Sequence, residues 1–186
     1  DEVFGYEYSD ELVICGYTGS AAHRYAEQIG ISFISLGVLE KKVVNEGKCG
    51  ENLTWTIDNY GTLTIEGSGD MYDYTEESAP WHDEYYTTLV IKNGVTSIGD
   101  YAFANSSDLT KADLPTSIKV IGECAFYNSR IAPLALPEGV VEIGDKAFFM
   151  GPINVIVPES VTTIADTAFL YDSYSWNGNE YKNYCY

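Results

Sequence analysis

Four copies of a six-residue motif in the second half of the chain constrain its fold more than any other feature. Each copy follows the pattern I-G-D-x-A-F or a close variant, and the leading isoleucines are 23, 22 and 21 residues apart. The isoleucines are Ile98, Ile121, Ile143 and Ile164, and the closing phenylalanines are Phe103, Phe126, Phe148 and Phe169. A period of this length indicates units that stack, because one unit alone cannot bury its own apolar side.

A second set of matched positions precedes each motif and predicts a short strand. The alternating pairs are Leu89/Ile91, Ala112/Leu114, Leu134/Leu136 and Val155/Val157, and proline directly follows the last three. A strand, a turn and a return segment of about 20–29 residues make one coil of a leucine-rich solenoid. We therefore predict an α/β-type right-handed leucine-rich-repeat solenoid of about four coils over residues 86–170. Each Ala-Phe pair is expected to follow a helical turn, with the phenylalanines stacked as a ladder.

Residues 48–85 are predicted to form a β-hairpin cap on the solenoid. Over residues 53–57 and again over 62–65, apolar side chains alternate with threonines, and a turn rich in Asp, Asn and Gly separates the two runs. The end of a solenoid exposes apolar core and an unpaired strand edge, so a cap is expected there. Trp55 and Trp81 are predicted to cover this end, and the functional alternative for Trp81 is stacking on a sugar.

A third piece, residues 1–37, has the pattern of a strand, a helix and a second strand. The predicted elements are a strand at Leu12–Cys15, a helix at Ala21–Ile29 and a strand that includes Ile31, Phe33 and Ile34. Ser20 is placed to cap the helix and Gly30 to end it. The apolar positions of the helix are Ala22, Tyr25, Ala26 and Ile29.

The repeated motif, followed by a strand that ends in L-P or V-P, resembles the BspA-type leucine-rich repeats of bacterial cell-surface proteins. The family often carries Gly-Cys after the Phe turn, whereas this chain has Asn105-Ser106 and Asn128-Ser129 there. The segment from Cys49 to Met71 resembles the cap module that often precedes such arrays. The pattern I-x-G-Y-x-G-S-x-A-x-x-Y-A, which begins at Ile14, resembles the unit that closes them.

These resemblances imply a domain order in which residues 1–37 close a preceding array and residues 38–47 are a linker. Residues 48–85 are then the cap, residues 86–170 the four coils and residues 171–186 the start of a further closing unit. The chain is accordingly interpreted as a fragment of a longer tandem protein.

Composition narrows the possible partners. The net charge is −18 and there is no basic cluster, so binding to nucleic acid or to an anionic membrane surface is not expected. No apolar run approaches the ~20 residues of a transmembrane helix. The 16 tyrosines suit an extracellular recognition surface, although packing explains many of them equally well. The cysteines, Cys15, Cys49, Cys124 and Cys185, allow three disulfide connectivities, and their spacing argues against a zinc site.

The sequence lacks a recognisable catalytic constellation, so we predict no enzyme activity and no cofactor. His23 is expected to be a solvated helix residue, and His82 lies in the loop that leaves the cap. Cys124 shares a repeat position with a lysine and is therefore expected to be accessible. The acids of the motif, Asp100, Glu123, Asp145 and Asp166, are interpreted as caps of the following helical turns, with a cation-binding ladder as the alternative.

The candidate binding residues are those that alternate with the inward side chains of the strands and so line the exposed face of the sheet. They are Thr88, Val90, Lys111, Asp113, Pro133, Ala135, Asn154 and Ile156. The family resemblance implies an extracellular, surface-displayed or secreted module that recognises a protein or a surface component of a host or bacterium. The alternative is a carbohydrate-binding or spacer module of a secreted enzyme, using Trp81 or Trp176.

Overall fold

The computed structural model describes residues 12–38, 40–131, 133–151 and 154–170. The chain forms two compact units, Asp1–Lys42 and Val43–Tyr186. Each unit is described below by itself. The expectations for Trp176, for Cys185 and for residues 171–186 lie outside the described residues.

The leading unit is a strand, a helix and a second strand, as its sequence predicts. β1 (Val13–Thr18) pairs in parallel with β2 (Ser32–Val38), and α1 (Ala21–Ile29) connects them. The Ser20 side chain accepts a hydrogen bond from the His23 amide, and Gly30 ends the helix with φ 72°. Both predicted caps are confirmed, because each is a local interaction that the sequence spacing specifies.

The surroundings of α1 differ from the predicted ones. Ala26 is buried in the structure, whereas Tyr25 and Ile29 of the predicted apolar stripe are exposed. His23 is not a freely solvated residue, because its ring packs against Phe33 with the centroids 4.5 Å apart. Its Nδ1 atom accepts a hydrogen bond from the Gly19 amide, and its Nε2 atom lies 3.4 Å from the Glu27 carboxylate.

The second unit begins with three antiparallel strands, β3 (Val43–Lys48), β4 (Leu53–Asp58) and β5 (Thr62–Gly67). The β4–β5 pair is the predicted hairpin, with Leu53, Trp55 and Ile57 buried. β3 lies in the segment that was expected to be a linker and instead forms the outer strand of this sheet. The hairpin therefore belongs to a larger sheet than the alternation pattern alone indicates.

Two parallel stacks of strands build the solenoid. The strands of the first stack after β5 are β7 (Thr88–Ile91), β9 (Lys111–Asp113), β11 (Leu134–Ala135) and β13 (Val155–Ile156). The strands of the second are β6 (Gly69–Asp70), β8 (Val95–Ile98), β10 (Val120–Ile121), β12 (Glu142–Ile143) and β14 (Thr163–Ile164). Successive coils contribute one strand to each stack, and the strands within a stack that pair are parallel.

The predicted count of four coils is too low, because the solenoid starts within the cap. β5 pairs in parallel with β7, and β6 pairs in parallel with β8, so the cap supplies a further coil. Trp81 stands 22 residues before Phe103 and stacks on it, with ring centroids 5.6 Å apart. An aromatic residue other than phenylalanine thus occupies the first position of the ladder.

The α/β description is also wrong, since α1 is the single helix of the described residues and none lies in the coils. The segments with the Ala-Phe pairs are turns. Their backbone amides donate alternately to the next coil and to a carbonyl of the same turn. The Tyr101 and Phe103 amides donate to the next coil, to Glu123 and Ala125 carbonyls at 2.8 Å, whereas the Ala102 amide closes a turn onto the Gly99 carbonyl. In an α-helix each of these amides would donate to a carbonyl four residues earlier. Because every second amide donates to the next coil instead, the segment does not form a helix.

The predicted phenylalanine ladder is confirmed and forms the centre of the core. Ring centroids are 5.4 Å apart between Phe103 and Phe126, 5.6 Å between Phe126 and Phe148 and 5.1 Å between Phe148 and Phe169. The rings are close to parallel, because each coil places its phenylalanine at the same position. The ladder stabilises each coil through its neighbours.

The turns that follow Ile98, Ile121 and Ile143 each hold two non-glycine residues in the left-handed region, which gives a test of the local backbone energetics. Asn105 and Asn128 occupy the second of these positions, and the Asn128 side-chain amide donates to the Asn105 side-chain oxygen at 2.9 Å. Met150 has the same position, with φ 51°. Asparagine is favoured there over other side chains with a Cβ atom.

We expect Met150→Asn to stabilise the protein by about 0.5–1 kcal/mol, because asparagine tolerates this conformation and can extend the side-chain ladder from Asn128. Urea unfolding followed by circular dichroism measures the change. Met150→Ala is the control, since alanine keeps the backbone cost and adds no hydrogen bond. A gain that is equal in the two variants would contradict the explanation.

Candidate functional site

The outward side chains of the first stack lie in two rows along the solenoid, and we call these rows the outer face. Strand register places Thr88 beside Lys111 and Val90 beside Asp113, and it places Ala135 beside Ile156. Six of the eight predicted residues are exposed, namely Lys111, Asp113, Pro133, Ala135, Asn154 and Ile156. Thr88 and Val90 are half-buried. The structure therefore puts the predicted residues on one side of the strands, opposite the core.

The outer face has an interruption that the repeat pattern does not predict. β9 pairs with β7 and β11 pairs with β13, but within the described residues no ladder joins β9 to β11. Pro133, which directly precedes β11, has no amide hydrogen to donate to a neighbouring strand. The predicted set is consequently divided into a part on β7 and β9 and a part on β11 and β13.

Sequence reasoning missed the part of the outer face that the cap contributes. Thr62 pairs with Thr88 and Thr64 pairs with Val90, so the two rows begin on β5. β4 extends the same surface, because Thr56 pairs with Thr64 across the hairpin. The signal was present in the sequence, where Leu63 and Ile65 alternate in the same way as Leu89 and Ile91, 26 residues later.

Trp81 is not available to stack on a sugar. Its side chain is 1% exposed, its Nε1 atom donates to the Ala102 carbonyl at 2.7 Å, and its ring packs between Phe103, Trp55 and Tyr74. The prediction that tryptophans cover the first coil is thus confirmed for Trp81. Trp55 is 3% exposed and meets Trp81 edge to face.

A small pocket lies beside Trp81, between the loop that leaves the cap and the loop after Phe103. Its volume is about 80 Å³, and its polar lining includes His82, Glu84, Asn105 and Asp108. Ligand pockets for small molecules usually have volumes of about 300–1,000 Å³. This pocket is therefore too small for a typical small-molecule ligand, and Ser106 in its lining is hydrogen-bonded to the Tyr86 hydroxyl.

Two acids of the motif, Asp100 and Asp145, bond to the neighbouring coil, and the absence of a helix in the described coils corrects the assignment of the motif acids as helix caps. Asp100 accepts a hydrogen bond at 2.7 Å from the amide of Glu123, which lies one coil later. Asp73 accepts one from the Asp100 amide at 3.0 Å, and the Thr167 hydroxyl donates to Asp145. Asp73 and Asp100 thus satisfy backbone donors of the neighbouring coil and Asp145 satisfies a hydroxyl donor, since there is no helix to cap. No group of three or more potential metal ligands is present among the described residues.

The expected accessibility of Cys124 is wrong. The thiol is buried, 3% exposed, and its sulfur lies in hydrogen-bond contact with the Tyr101 hydroxyl. Burial raises the pKa of Cys124, and burial raises the pKa of Cys49 to about 12. Cys15 is exposed. None of these three cysteines forms a disulfide.

These environments predict a large difference in thiol reactivity. At pH 8 a thiol with a pKa near 12 is almost entirely protonated, and a protonated thiol is a poor nucleophile. In a Cys185→Ser background we expect a disulfide reagent to modify Cys15 rapidly and Cys49 and Cys124 at least about 100-fold more slowly. Peptide mapping after timed labelling measures this, and unfolding in urea should abolish the difference. Rapid labelling of Cys124 in the folded protein would contradict its burial.

Comparisons with known proteins agree with the repeat architecture. Residues 80–176 match the family model described as BspA type Leucine rich repeat region (6 copies). No curated protein matches the chain. No helix in the described ranges is long and apolar enough to cross a membrane.

Two solved structures are similar to this chain. A leucine-rich repeat protein from Eubacterium ventriosum ATCC 27560 is 24% identical and aligns with 66% of this chain and 40% of its own, with a TM-score of 0.55. A leucine rich cell surface protein from Faecalibacterium prausnitzii A2-165 is 14% identical and aligns with 66% of this chain and 55% of its own, with a TM-score of 0.36. The chain thus spans about half or less of each of these proteins.

Proposed function

Because this chain belongs to the BspA-type leucine-rich repeat family, we propose that it is a non-catalytic interaction module that binds a protein through the outer face. The observation that supports this function is that inward, buried side chains alternate with outward side chains along the strands of the first stack. Leu63, Leu89 and Leu134 point inward and are at most 1% exposed, and they complete the core. The side chains that alternate with them are left for contacts with a partner.

The chemistry of the outer face suits a protein surface better than a charged polymer. The face begins with threonines on β4 and β5, continues with Lys111 and Asp113 on β9 and ends with the apolar Ala135 and Ile156. Ile156 is 64% exposed. A mixture of hydroxyl groups, charges of both signs and apolar groups on a sheet is compatible with a protein interface. The net charge of −18 disfavours nucleic acid.

We further propose that the module acts outside the cell, on the cell surface or as part of a secreted protein, as the family resemblance implies. The domain order of a closing unit, a linker that ends before β3, a cap and an array remains part of this proposal. The carbohydrate-binding alternative named Trp81 and Trp176; Trp81 is buried and cannot take that role, and Trp176 lies outside the described residues. Protein recognition is therefore the better-supported function, with adhesion as its biological setting.

The test compares two variants with identical changes in charge on the two stacks. The face variant is Asp113→Arg with Ala135→Arg, and the control is Glu142→Arg with Thr163→Arg on β12 and β14. All four residues are exposed, so neither variant should disturb the core. The probe is an array of purified extracellular-matrix proteins, each presented with and without its glycans.

We expect the unmodified module to bind at least one array protein in both glycan states. The face variant should bind it at least about 10-fold more weakly, because buried like or unpaired charge in an interface costs more than 1.4 kcal/mol. The control should bind within about twofold of the unmodified module. Binding that is lost on removal of the glycans, equal effects of the two variants, or no binding to the array would each contradict the proposal.

A further inference from the structure

The turn between β7 and β8 contains a pair of residues with a chemistry of its own. Asn93 is exposed, and it is the one asparagine in the described ranges that directly precedes a glycine, Gly94. Asparagine is a thermolabile residue, and a following glycine makes deamidation easier because it has no Cβ atom to hinder its own backbone nitrogen. Asn93 is therefore a candidate site of covalent modification that requires no enzyme.

Deamidation needs the close approach of two groups of this turn. The Gly94 nitrogen attacks the side-chain carbonyl carbon of Asn93, Cγ, and forms a new C–N bond. The side-chain nitrogen leaves as ammonia, taking up the proton that the Gly94 amide loses, and a five-membered succinimide ring remains. Water then opens either carbonyl–nitrogen bond of the ring, which gives aspartate or isoaspartate without oxidation or reduction.

The following coil holds the attacking nitrogen. The Gly94 amide donates a hydrogen bond to the Ser117 hydroxyl oxygen at 3.1 Å. The same hydroxyl donates to the Val95 carbonyl at 2.7 Å, so one side chain of the following coil bonds this turn twice. Attack on Asn93 requires the Gly94 amide to leave Ser117 and rotate toward the asparagine side chain.

The preceding coil restrains the same glycine from the other side. The Gly94 carbonyl accepts a hydrogen bond from the Gly69 amide at 3.0 Å. A Cβ atom added at Gly94 would lie 2.4 Å from the carbonyl oxygen of Gly67, so the two backbones are in close contact. Gly94 has φ 110°, a conformation that glycine adopts readily. The reactive arrangement is consequently reached only when this part of the stack opens.

We propose that Asn93 is a deamidation site that the stacked coils hold inactive, and that Ser117 is the positioning residue that restrains the Gly94 amide. The rate at Asn93 then follows the fraction of molecules in which the turn has opened. Both products add a negative charge, and isoaspartate also lengthens the backbone of the turn by one carbon. The inference goes beyond the proposed function, because it depends on neither the outer face nor its partner.

The experiment incubates the full chain in mildly alkaline buffer, with and without urea, and follows deamidation at each asparagine by peptide mapping and mass spectrometry. The test variant is Ser117→Ala, and the matched control is Ser160→Ala. The Ser160 hydroxyl also donates to a carbonyl of the preceding coil, that of Val140, at 2.7 Å, but the turn next to it contains no asparagine. Circular dichroism confirms that both variants are folded.

In urea we expect Asn93 to react about as fast as Asn177, which also precedes a glycine. In the folded unmodified chain it should react at least about 10-fold more slowly than in urea, because the reaction needs a local opening. Ser117→Ala should raise the folded-state rate about fivefold, which is the effect of one lost hydrogen bond on the open population. Ser160→Ala should leave it within about twofold.

Three results would overturn the proposal. The first is a rate at Asn93 that is the same in the folded and the unfolded chain. The second is an effect of Ser117→Ala at Asn93 that is no larger than that of Ser160→Ala, or that is matched at Asn105 and Asn128. The third is the absence of deamidation at Asn93 in urea while Asn177 reacts. The first and third are measured on the unmodified chain and do not depend on the folding of a variant.

Discussion

Phe126→Ala is expected to lower the free energy of unfolding by about 4 kcal/mol, the largest effect of any single substitution considered for this protein. Phe126 is fully buried and stacks on Phe103 and Phe148, with ring centroids 5.4 Å and 5.6 Å away. Removal of the ring leaves a cavity between two coils that the strands hold at a fixed spacing. The neighbours cannot close it without breaking the bonds between coils.

Phe149→Ala is the matched control for this prediction. Phe149 also stacks on an aromatic residue of the preceding coil, Tyr127, at 5.7 Å, but both rings are half-buried on the outside of the turn. We expect a loss of about 1 kcal/mol there, because less apolar area is buried and no closed cavity forms. Urea unfolding followed by circular dichroism measures both values. Similar losses for the two variants would show that the ladder does not organise the core.

In a stacked array the effect of Phe126→Ala should also spread along the chain. Each coil is stabilised mainly by its neighbours, so a weakened contact between two coils can separate the unfolding of the parts on either side. In a Trp176→Phe background, Trp81 and Trp55 report on the first coil, since both are buried there. In the variant we expect tryptophan fluorescence to change at higher urea concentration than the far-ultraviolet signal does. Coincident transitions would indicate one cooperative unit.

The features that the sequence predicted correctly depend on spacing alone. The positions of the inward residues, the stacked phenylalanines and the hairpin each follow from a period of two residues or of about 22 residues. The Ser20 cap and the Gly30 stop are equally local. Such a periodic pattern can be recognised in the sequence without knowing which coils are neighbours in the structure.

The features that it did not predict depend on contacts between coils. The Ala-Phe segments are turns because the amides of Tyr101 and Phe103 bond to the next coil, and no propensity within the motif reveals that partner. Cys124 is buried although the same repeat position holds an exposed lysine in the following coil, because its short side chain lies beneath the Tyr101 side chain of the preceding coil. The start of the solenoid was missed because a tryptophan replaces phenylalanine in the first coil.

The outer face was predicted in part for the same reason. Alternation identified Val90, Asp113, Ala135 and Ile156 as neighbours along the stack, and the strand register agrees for the pairs on adjacent strands. It did not reveal Thr62 and Thr64, because β5 appears in the sequence as half of a hairpin. The interruption before β11 depends on the missing amide hydrogen of Pro133, which matters only once the neighbouring strand is known.

Gly99→Ala is expected to destabilise the protein by about 3 kcal/mol, because the glycine of the motif lies against the backbone of the preceding coil. A Cβ atom added at Gly99 would be 2.0 Å from the carbonyl oxygen of Tyr72. That carbonyl belongs to the backbone and cannot rotate away as a side chain can. Relief of the contact therefore requires the first two coils to move apart, which weakens the stacking of Trp81 on Phe103.

The same substitution at Gly144 is the control, since the position within the motif is identical and only the distance differs. A Cβ atom at Gly144 would lie 2.8 Å from the Glu123 amide nitrogen, and the corresponding residue of the next coil is alanine, Ala165. We expect Gly144→Ala to cost less, about 2 kcal/mol, since the backbone of the preceding coil must still shift there but by a smaller distance than at Gly99. Urea unfolding of the two variants gives the comparison. Equal losses at Gly99 and Gly144 would mean that the motif selects glycine for its backbone conformation and not for the close approach of the coils.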